Sequence, residues 1–247
     1  MFFSFYTSEL VATYAVWPAP LLLVVWLVLT GGRGGTTRDA RFVHAYALLF
    51  ALETALDSLA TGPLMRWLGL ADTTAALVVL IFFVLLGDFR VLYLLQRLSF
   101  PERTRERLLA ESAAWTLIVP LSALTLREVL TALLGPLGDS AIWLIYELCF
   151  LVLALWLRQV GLPRWVGPGR AARLAYLRSV ATYVALYYGL WAAADVLIQV
   201  LGLDAGWALR VIPNQLYYAF FVPFVYFRYF ASGADQDAAS TSAHASR

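Results

Sequence analysis

Long apolar segments follow one another along almost the whole chain. A transmembrane helix needs about 20 consecutive, mostly apolar residues, and the sequence contains seven such segments, near residues 10–30, 42–61, 74–96, 109–134, 140–160, 179–202 and 207–231. Hydrophobic residues make up 62% of the 247 residues and charged residues only 14%, and water-soluble domains of this size do not have such a composition. The sequence therefore predicts an all-α integral membrane protein in which residues 1–231 form a domain of seven transmembrane helices.

The arginines are distributed unevenly between the connections. They gather in the first, third and fifth connections, for example at Arg38, Arg103 and Arg164, whereas the connection GPLGDS has none. Because positively charged loops stay in the cytoplasm, we predict the N-terminus outside and the C-terminus inside, in the plasma membrane or the inner membrane of a bacterium. The small and polar residues of 232–247 predict a disordered cytoplasmic tail.

Several kinds of chemistry are excluded by residues that the sequence lacks. It contains no lysine, so a retinal Schiff base, a pyridoxal phosphate linkage and a P-loop lysine are impossible. The single cysteine, Cys149, forms no intrachain disulfide, and two histidines, His44 and His244, are too few for a haem or tri-histidine site. We expect no cofactor, no metal and no nucleic-acid partner, since topology alone explains arginines at membrane edges.

Acidic residues inside the apolar segments are the best indication of a site. Glu53 and Asp57 lie one helical turn apart in the second segment, with Glu128, Glu147 and Asp195 in later ones. An ionisable group in hydrocarbon costs about 2.5 to 3.5 kcal/mol, so it usually faces the protein interior or a watery cavity. The predicted segment ends place all these acids in the outer half of the membrane. We therefore expect them to converge there.

Helical spacing places aromatic and polar side chains beside these acids. Tyr187, Trp191 and Asp195 follow one another at intervals of four residues, and Arg210 and Asn214 share a face of the seventh segment. A cavity with such a lining suits a cation, a proton or a polar solute held against aromatic rings. The predicted site consists of Glu53, Asp57, Glu147, Tyr187, Trp191, Asp195, Arg210, Asn214 and Tyr218.

A structural explanation of the same charges stays open. Asp195 with Arg210, or Glu53 with Arg127, would form ion pairs that hold helices together. In that case the acids would stabilise the bundle without binding a ligand.

Two further charges lie toward the other side of the membrane, in the third segment. Asp88 and Arg90 are two residues apart, so they point to different faces of a helix. Arg90 is expected to extend its side chain to the membrane interface. Asp88 needs a partner, for which Arg228 is the candidate.

The sequence also contains a weak internal repeat. Segments two and three resemble segments six and seven, which aligns Asp57 with Asp195, and segment one resembles segment five, which aligns Trp26 with Trp156. A real repeat would give a three-plus-one-plus-three arrangement of two parallel halves, with a site at their interface. In number of spans and orientation this layout resembles the sugar-transporting SWEET proteins and other PQ-loop carriers, although the sequence has no Pro-Gln pair.

These observations favour a small carrier for a polar solute or a cation, with proton coupling through intramembrane carboxylates. One alternative is a non-catalytic sensory or scaffolding membrane protein, whose buried charges are structural and whose basic loops contact a cytoplasmic protein. Another is an intramembrane lipid-modifying enzyme. Catalysis is less favoured, because no nucleophile or metal-ligand set accompanies the carboxylates. The lipid bilayer is the expected partner in every case.

Overall fold

The protein is a bundle of long helices. The computed structural model describes residues 1–32, 37–71 and 73–234, and all regular structure in these ranges is helical. Six of these helices are long and apolar enough to cross a membrane, which supports a lipid bilayer as their environment. After the short helix α1 (Phe2–Tyr6), the six are α2 (Glu9–Thr30), α3 (Arg38–Trp67), α4 (Thr74–Ser99), α5 (Arg105–Leu134), α6 (Ala141–Val166) and α7 (Ala171–Val200).

The last helical segment, α8 (residues 205–231), is less apolar than these six. It consists of Ala205–Asn214, a π-helical turn at Gln215–Phe220, and Phe221–Ala231, without a break. A proline, an asparagine, a glutamine and two tyrosines at its middle lower its hydropathy, and it is not among the six apolar helices of the described chain. A seventh crossing and the orientation therefore stay predictions. The predicted tail falls mostly on residues 235–247, which lie outside the described residues.

The helices begin and end where local sequence signals place them. Ser8, Thr37, Thr73 and Thr104 each accept a hydrogen bond from the backbone N–H three residues later, which caps the starts of α2, α3, α4 and α5. Gly31, with a left-handed φ of 66°, ends α2. The capped starts of α3 and α5 include arginines, because arginine forms helices well and its head group reaches the membrane surface.

Helices that are consecutive in the sequence pack side by side, and α8 closes the bundle against α2 and α3. α3 is central, with 50% of its apolar window buried, whereas α5 is peripheral, with 11% buried. Large aromatic side chains fill the core, including Phe150, Tyr176, Tyr187 and Tyr226, each at most 1% exposed. Among the polar residues of these helices, Glu53, Glu147 and Asp195 are buried and so face other helices and not lipid.

We name the two ends of the bundle by their arginines. At the arginine-rich end, where α4 ends and α3, α5 and α7 begin, the buried Asp39 accepts hydrogen bonds from Arg97 (3.3 Å) and Arg173 (2.6 Å). At the opposite, arginine-poor end, α1 packs against α8. The predicted polar site lies toward this second end.

Three π-helical turns closely follow polar residues of the predicted site. They are Ala60–Leu64 after Asp57, Val196–Val200 after Asp195, and Gln215–Phe220 after Asn214. Such turns interrupt regular α-helical hydrogen bonding and often occur at functional sites. A further one, Leu157–Gly161, lies in α6. The helices are thus irregular where their polar residues face the interior.

Candidate functional site

A cavity of about 360 Å³ lies at the arginine-poor end, between α1, α4, α6, α7 and α8. Its wall is mainly aromatic, with polar side chains from α6 and α8, as is usual for small-molecule sites. The lining residues are Tyr6, Leu80, Val84, Trp143, Tyr146, Glu147, Tyr188, Trp191, Trp207, Arg210, Asn214, Tyr217 and Tyr218.

One face of α8 supplies the largest share of this lining. Trp207, Arg210, Asn214, Tyr217 and Tyr218 follow at intervals of three and four residues, so they lie on the same side of the helix. The spacing predicted this face from the sequence. The structure adds that the face is turned toward α1, α6 and α7.

Arg210 joins two carboxylates at the edge of the cavity. It donates to Asp195, as predicted, and its Nη2 donates to Glu147 Oε1 at 3.3 Å. Asp195 is fully buried and also accepts a hydrogen bond from Gln199 Nε2 at 2.8 Å. Glu147 Oε2 and Arg210 Nε are buried and have no hydrogen-bond partner in the described chain. Two residues of the cavity wall therefore have unused hydrogen-bonding capacity.

Asn214 connects α8 to two aromatic side chains of the wall. Its Oδ1 accepts a hydrogen bond from Trp191 Nε1 at 2.9 Å, and its Nδ2 donates to Tyr6 Oη at 3.2 Å. The guanidinium carbon of Arg210 lies 5.8 Å from the ring centres of both Tyr6 and Trp207. These contacts hold α1 over the cavity.

A second arginine, Arg90, is buried deeper in the bundle. Its Nη1 donates to Glu53 Oε2 at 3.0 Å and to Thr54 Oγ1 at 2.7 Å, and its Nη2 donates to the backbone carbonyl of Tyr217 at 3.0 Å. Only 1% of Arg90 is exposed, so the prediction that it reaches the membrane interface is wrong. The prediction that Glu53 pairs with Arg127 is also wrong, because α3 buries Glu53 against α4, whereas Arg127 lies 3.9 Å from Asp139.

Tyr217 separates the cavity from the Arg90 cluster. Its side chain lines the cavity, and its ring centre lies 4.5 Å from the guanidinium carbon of Arg90. α4 permits this approach at Gly87, where an added Cβ would overlap with Tyr217 Oη. A glycine is therefore required at this position for Tyr217 to keep its place.

Asp88 is fully buried behind the cavity wall. It accepts hydrogen bonds from Tyr146 and Tyr188, both of which line the cavity. The predicted partner, Arg228, instead donates to Ser179 at 3.4 Å, so that prediction is wrong. The hydroxyls of Tyr146 and Tyr188, and not the guanidinium of Arg228, therefore hold the Asp88 carboxylate.

The structure describes all nine predicted site residues and brings five of them to the cavity. Glu147, Trp191, Arg210, Asn214 and Tyr218 line it. The other four lie behind the wall or in the core, and they are Glu53, Asp57, Tyr187 and Asp195.

Asp57 and Tyr187 contact neither Arg90 nor Arg210 by a hydrogen bond. Asp57 is 3% exposed and accepts a hydrogen bond from Thr61 Oγ1 at 3.3 Å. Tyr187 is fully buried, and its hydroxyl has no partner in the described chain. Glu128, the remaining acid expected to converge with these, is exposed on the peripheral helix α5. Of the five acids predicted to converge, Glu147 and Asp195 therefore share Arg210, whereas Glu53 pairs with Arg90, Asp57 contacts neither arginine, and the prediction is wrong for Glu128.

Sequence reasoning missed most of the aromatic wall. Trp143 and Tyr146 precede Glu147 by four residues and one residue, and Tyr188 is adjacent to Tyr187, so spacing on α6 and α7 could have indicated them. Tyr6 lies on a five-residue helix far from the other lining residues in sequence, and no pattern predicts its position.

Acids outnumber the cations that contact them in this half of the bundle. The buried carboxylates in the described chain away from the arginine-rich end are Glu53, Asp57, Asp88, Glu147 and Asp195. The arginines in contact with them are Arg90 and Arg210. A buried carboxylate without a cation is costly when ionised.

The cavity, its aromatic wall and the shared guanidinium of Arg210 together form the candidate site. Comparisons of this chain with protein-family models, with curated protein sequences and with solved structures found no match.

Proposed function

We propose that this protein is a small membrane carrier that binds a polar solute in the cavity at the arginine-poor end. The observation that supports this function most directly is the shared guanidinium of Arg210, which contacts two carboxylates at a cavity with an aromatic wall. Glu147 and Arg210 both line the cavity, so a solute bound there would lie beside a carboxylate and the guanidinium that it shares. A solute with a cationic or hydrogen-bond-donating group facing Glu147 suits this pair.

The aromatic residues define the rest of the solute site. Trp191, Trp207 and Tyr218 line a volume of about 360 Å³. Ring faces attract cations and stack on planar or apolar groups. The proposed solute is therefore a small molecule with a positively charged group and a compact apolar or planar body.

Proton coupling follows from the excess of buried carboxylates. An ionised acid without a nearby cation in the membrane interior is unfavourable, so such an acid binds either a proton or a cation. In our proposal, the solute's cationic group and a proton compete for Glu147. Asp88, held by Tyr146 and Tyr188 behind the wall, is the second group that would store a proton.

The carrier proposal includes α8 as a seventh crossing. Its 27 residues (205–231) would extend about 40 Å at 1.5 Å per residue, more than the ~30 Å of the hydrocarbon core. With the arginine-rich end in the cytoplasm, the cavity faces the outside of the plasma membrane. A cysteine at the exposed Asp139 in a Cys149→Ser background would react with an impermeant maleimide from outside, and one at Arg164 would not.

Transport is tested in liposomes that contain a pH-sensitive dye. Amines, amino acids and polyols are added outside, and the wild type is compared with Glu147→Gln and with Glu128→Gln, which removes an exposed acid that does not line the cavity. We expect solute-dependent proton flux in the wild type and in Glu128→Gln, and a decrease of about tenfold or more in Glu147→Gln. Flux that survives Glu147→Gln would contradict the proposal.

A non-transporting sensor is the second candidate, and the Arg90 cluster favours it. Arg90 and Glu53 do not line the cavity and pack as a static contact between α3, α4 and α8. In a sensor, the same solutes would change the fluorescence of the wall tryptophans without any flux. Binding without flux in the liposome experiment would therefore favour a sensor over a carrier.

A further inference from the structure

A second cavity lies at the arginine-rich end, far from the candidate site. It measures about 630 Å³ and is formed by α3, the end of α4 and the start of α5. We call it the arginine groove, because its lining includes Arg38, Arg41, Arg97, Arg103 and Arg105.

The arginine groove has more positive than negative charge. Arg97 shares the carboxylate of Asp39 with Arg173, and Arg103 shares that of Glu111 with Arg107. Arg38, Arg41 and Arg105 have no carboxylate partner in the described chain, and all three are exposed. Three guanidinium groups from two different helices therefore converge on one groove with their charge unpaired.

The groove becomes apolar with increasing distance from these arginines. On α3, Arg41, Ala45 and Leu49 lie on one face at intervals of four residues, and on α4 so do Arg97, Tyr93 and Phe89. Eight residues of helix place Leu49 and Phe89 about 12 Å deeper than the arginines.

The deep part of the groove is open to the side of the bundle. Leu49 is 62% exposed, and Leu109 of α5 is 36% exposed. On the wall between them, Phe89 stacks on Tyr93 with ring centres 5.5 Å apart. Among helices that lie in a bilayer, this opening faces the acyl chains of lipids. A ligand that fills the groove is therefore charged at one end and apolar at the other.

We propose that the arginine groove binds a phosphate-bearing membrane lipid. The phosphate lies between Arg38, Arg41 and Arg105, and one acyl chain follows Leu49 and Phe89 toward the middle of the bilayer. Guanidinium groups bind phosphate oxygens in a bidentate manner, and basic pockets between transmembrane helices bind anionic head groups. The placement of the arginines at one membrane edge follows from topology, but their convergence on an apolar groove does not. The inference does not depend on the proposed transport function.

The test measures lipid retained by the purified protein in native mass spectra. The probe is dioleoyl phosphatidylglycerol, compared with dioleoyl phosphatidylcholine, glycerol phosphate and inorganic phosphate. We expect Arg41→Gln with Arg105→Gln to weaken phosphatidylglycerol binding about thirtyfold. The matched control, Arg164→Gln with Arg178→Gln, removes two exposed arginines from the same end but outside the groove, and it should bind as the wild type does.

A second variant tests the apolar part of the groove. Leu49→Gln keeps every charge and changes an exposed side chain, so the fold should be retained. We expect it to weaken phosphatidylglycerol binding several-fold and to leave any binding of inorganic phosphate unchanged.

Three results would overturn the proposal. Equal losses in the groove variant and in the matched control would indicate general surface charge. Competition by glycerol phosphate or inorganic phosphate at the concentration of the lipid would indicate a soluble anion. Wild-type lipid binding in both Leu49→Gln and the double arginine variant would show that lipid does not bind in this groove.

Discussion

Arg90 and Arg210 are both held by carboxylates inside the bundle, but their surroundings differ. Arg90 is 1% exposed and contacts one acid, a hydroxyl and a backbone carbonyl. The side chain of Arg210 is 18% exposed, is shared by two acids and lies at the wall of a cavity. Arg90 thus suits a structural contact, whereas Arg210 borders a volume that a ligand can occupy. A buried charge alone does not identify a site, and what distinguishes Arg210 is its access to empty volume.

Removal of Arg90 should have the largest effect on stability. Arg90→Met leaves Glu53 buried without a cation, which is expected to lower the free energy of unfolding by about 3 to 5 kcal/mol. The double variant Arg90→Met with Glu53→Leu removes both charges and should recover most of that loss. Thermal unfolding in detergent measures both effects. Equal stability of the single and double variants would show that the ion pair does not hold α3 against α4.

A methyl group at Gly87 should displace Tyr217, which lies between Arg90 and the cavity that Arg210 lines. Gly87→Ala places a Cβ against Tyr217 Oη with too little space for both, which is expected to cost about 1 to 3 kcal/mol of stability. Gly189→Ala is the matched control, because its nearest neighbour, Leu151, lies at an ordinary 3.8 Å. The control should be neutral or slightly stabilising, since alanine favours helix. Similar unfolding temperatures for both variants would contradict the close approach of α4 and α8.

The two carboxylates that share Arg210 should respond unequally to neutralisation. Asp195→Asn weakens the contacts with Arg210 and Gln199 at a fully buried position, so we expect a loss of about 1 to 2 kcal/mol. Glu147→Gln removes the acid that has an unpartnered oxygen and should change stability by less than about 0.5 kcal/mol. Thermal unfolding of the two variants measures the difference. A larger loss of stability for Glu147→Gln than for Asp195→Asn would contradict the view that Asp195 is the acid that holds Arg210 in place.

The smallest expected effect concerns Asp204, which holds α1 over the cavity of Arg210. The backbone N–H of Phe2 donates to this exposed carboxylate at 3.0 Å and lowers its pKa. A lowered pKa in the folded state means that the contact stabilises α1 above the ordinary pKa of aspartate and is lost as pH falls through the lowered value. The protection of residues 2–6 from hydrogen exchange, relative to the intrinsic rate at each pH, should therefore fall only at strongly acidic pH. In Asp204→Asn that pH dependence should disappear.

The helices, the membrane character and part of the cavity lining could be predicted from the sequence. Apolar length predicted seven spans, and six helices of the described chain are long and apolar enough to cross a membrane. Helical spacing predicted the α8 face with Arg210, Asn214 and Tyr218. It also identified the contact of Asp195 with Arg210. These features depend on residues that are close in sequence or on a single helix face.

The Arg90 contact was missed because depth was judged from helix ends. The predicted end of the second span was residue 61, whereas α3 continues to Trp67. At 1.5 Å per residue this difference moves Glu53 about 9 Å deeper, to the level of Arg90. The prediction of ion pairs from the depth of each charge in the membrane was therefore wrong where a helix continues past its apolar segment. The position of Tyr6 depends on packing between α1 and α8, which single-sequence patterns do not encode.

The π-helical turn in α8 has a consequence for how this cavity would change between related chains. Such a turn is equivalent to one residue inserted into an α-helix. Deleting one residue from Gln215–Phe220 would return this stretch to regular α-helix and leave the flanking parts, Ala205–Asn214 and Phe221–Ala231, in nearly the same relative orientation. The change would fall on Tyr217 and Tyr218, the two cavity-lining residues inside the turn. A one-residue deletion would thus alter the aromatic wall of the cavity while the rest of α8 keeps its contacts with the core.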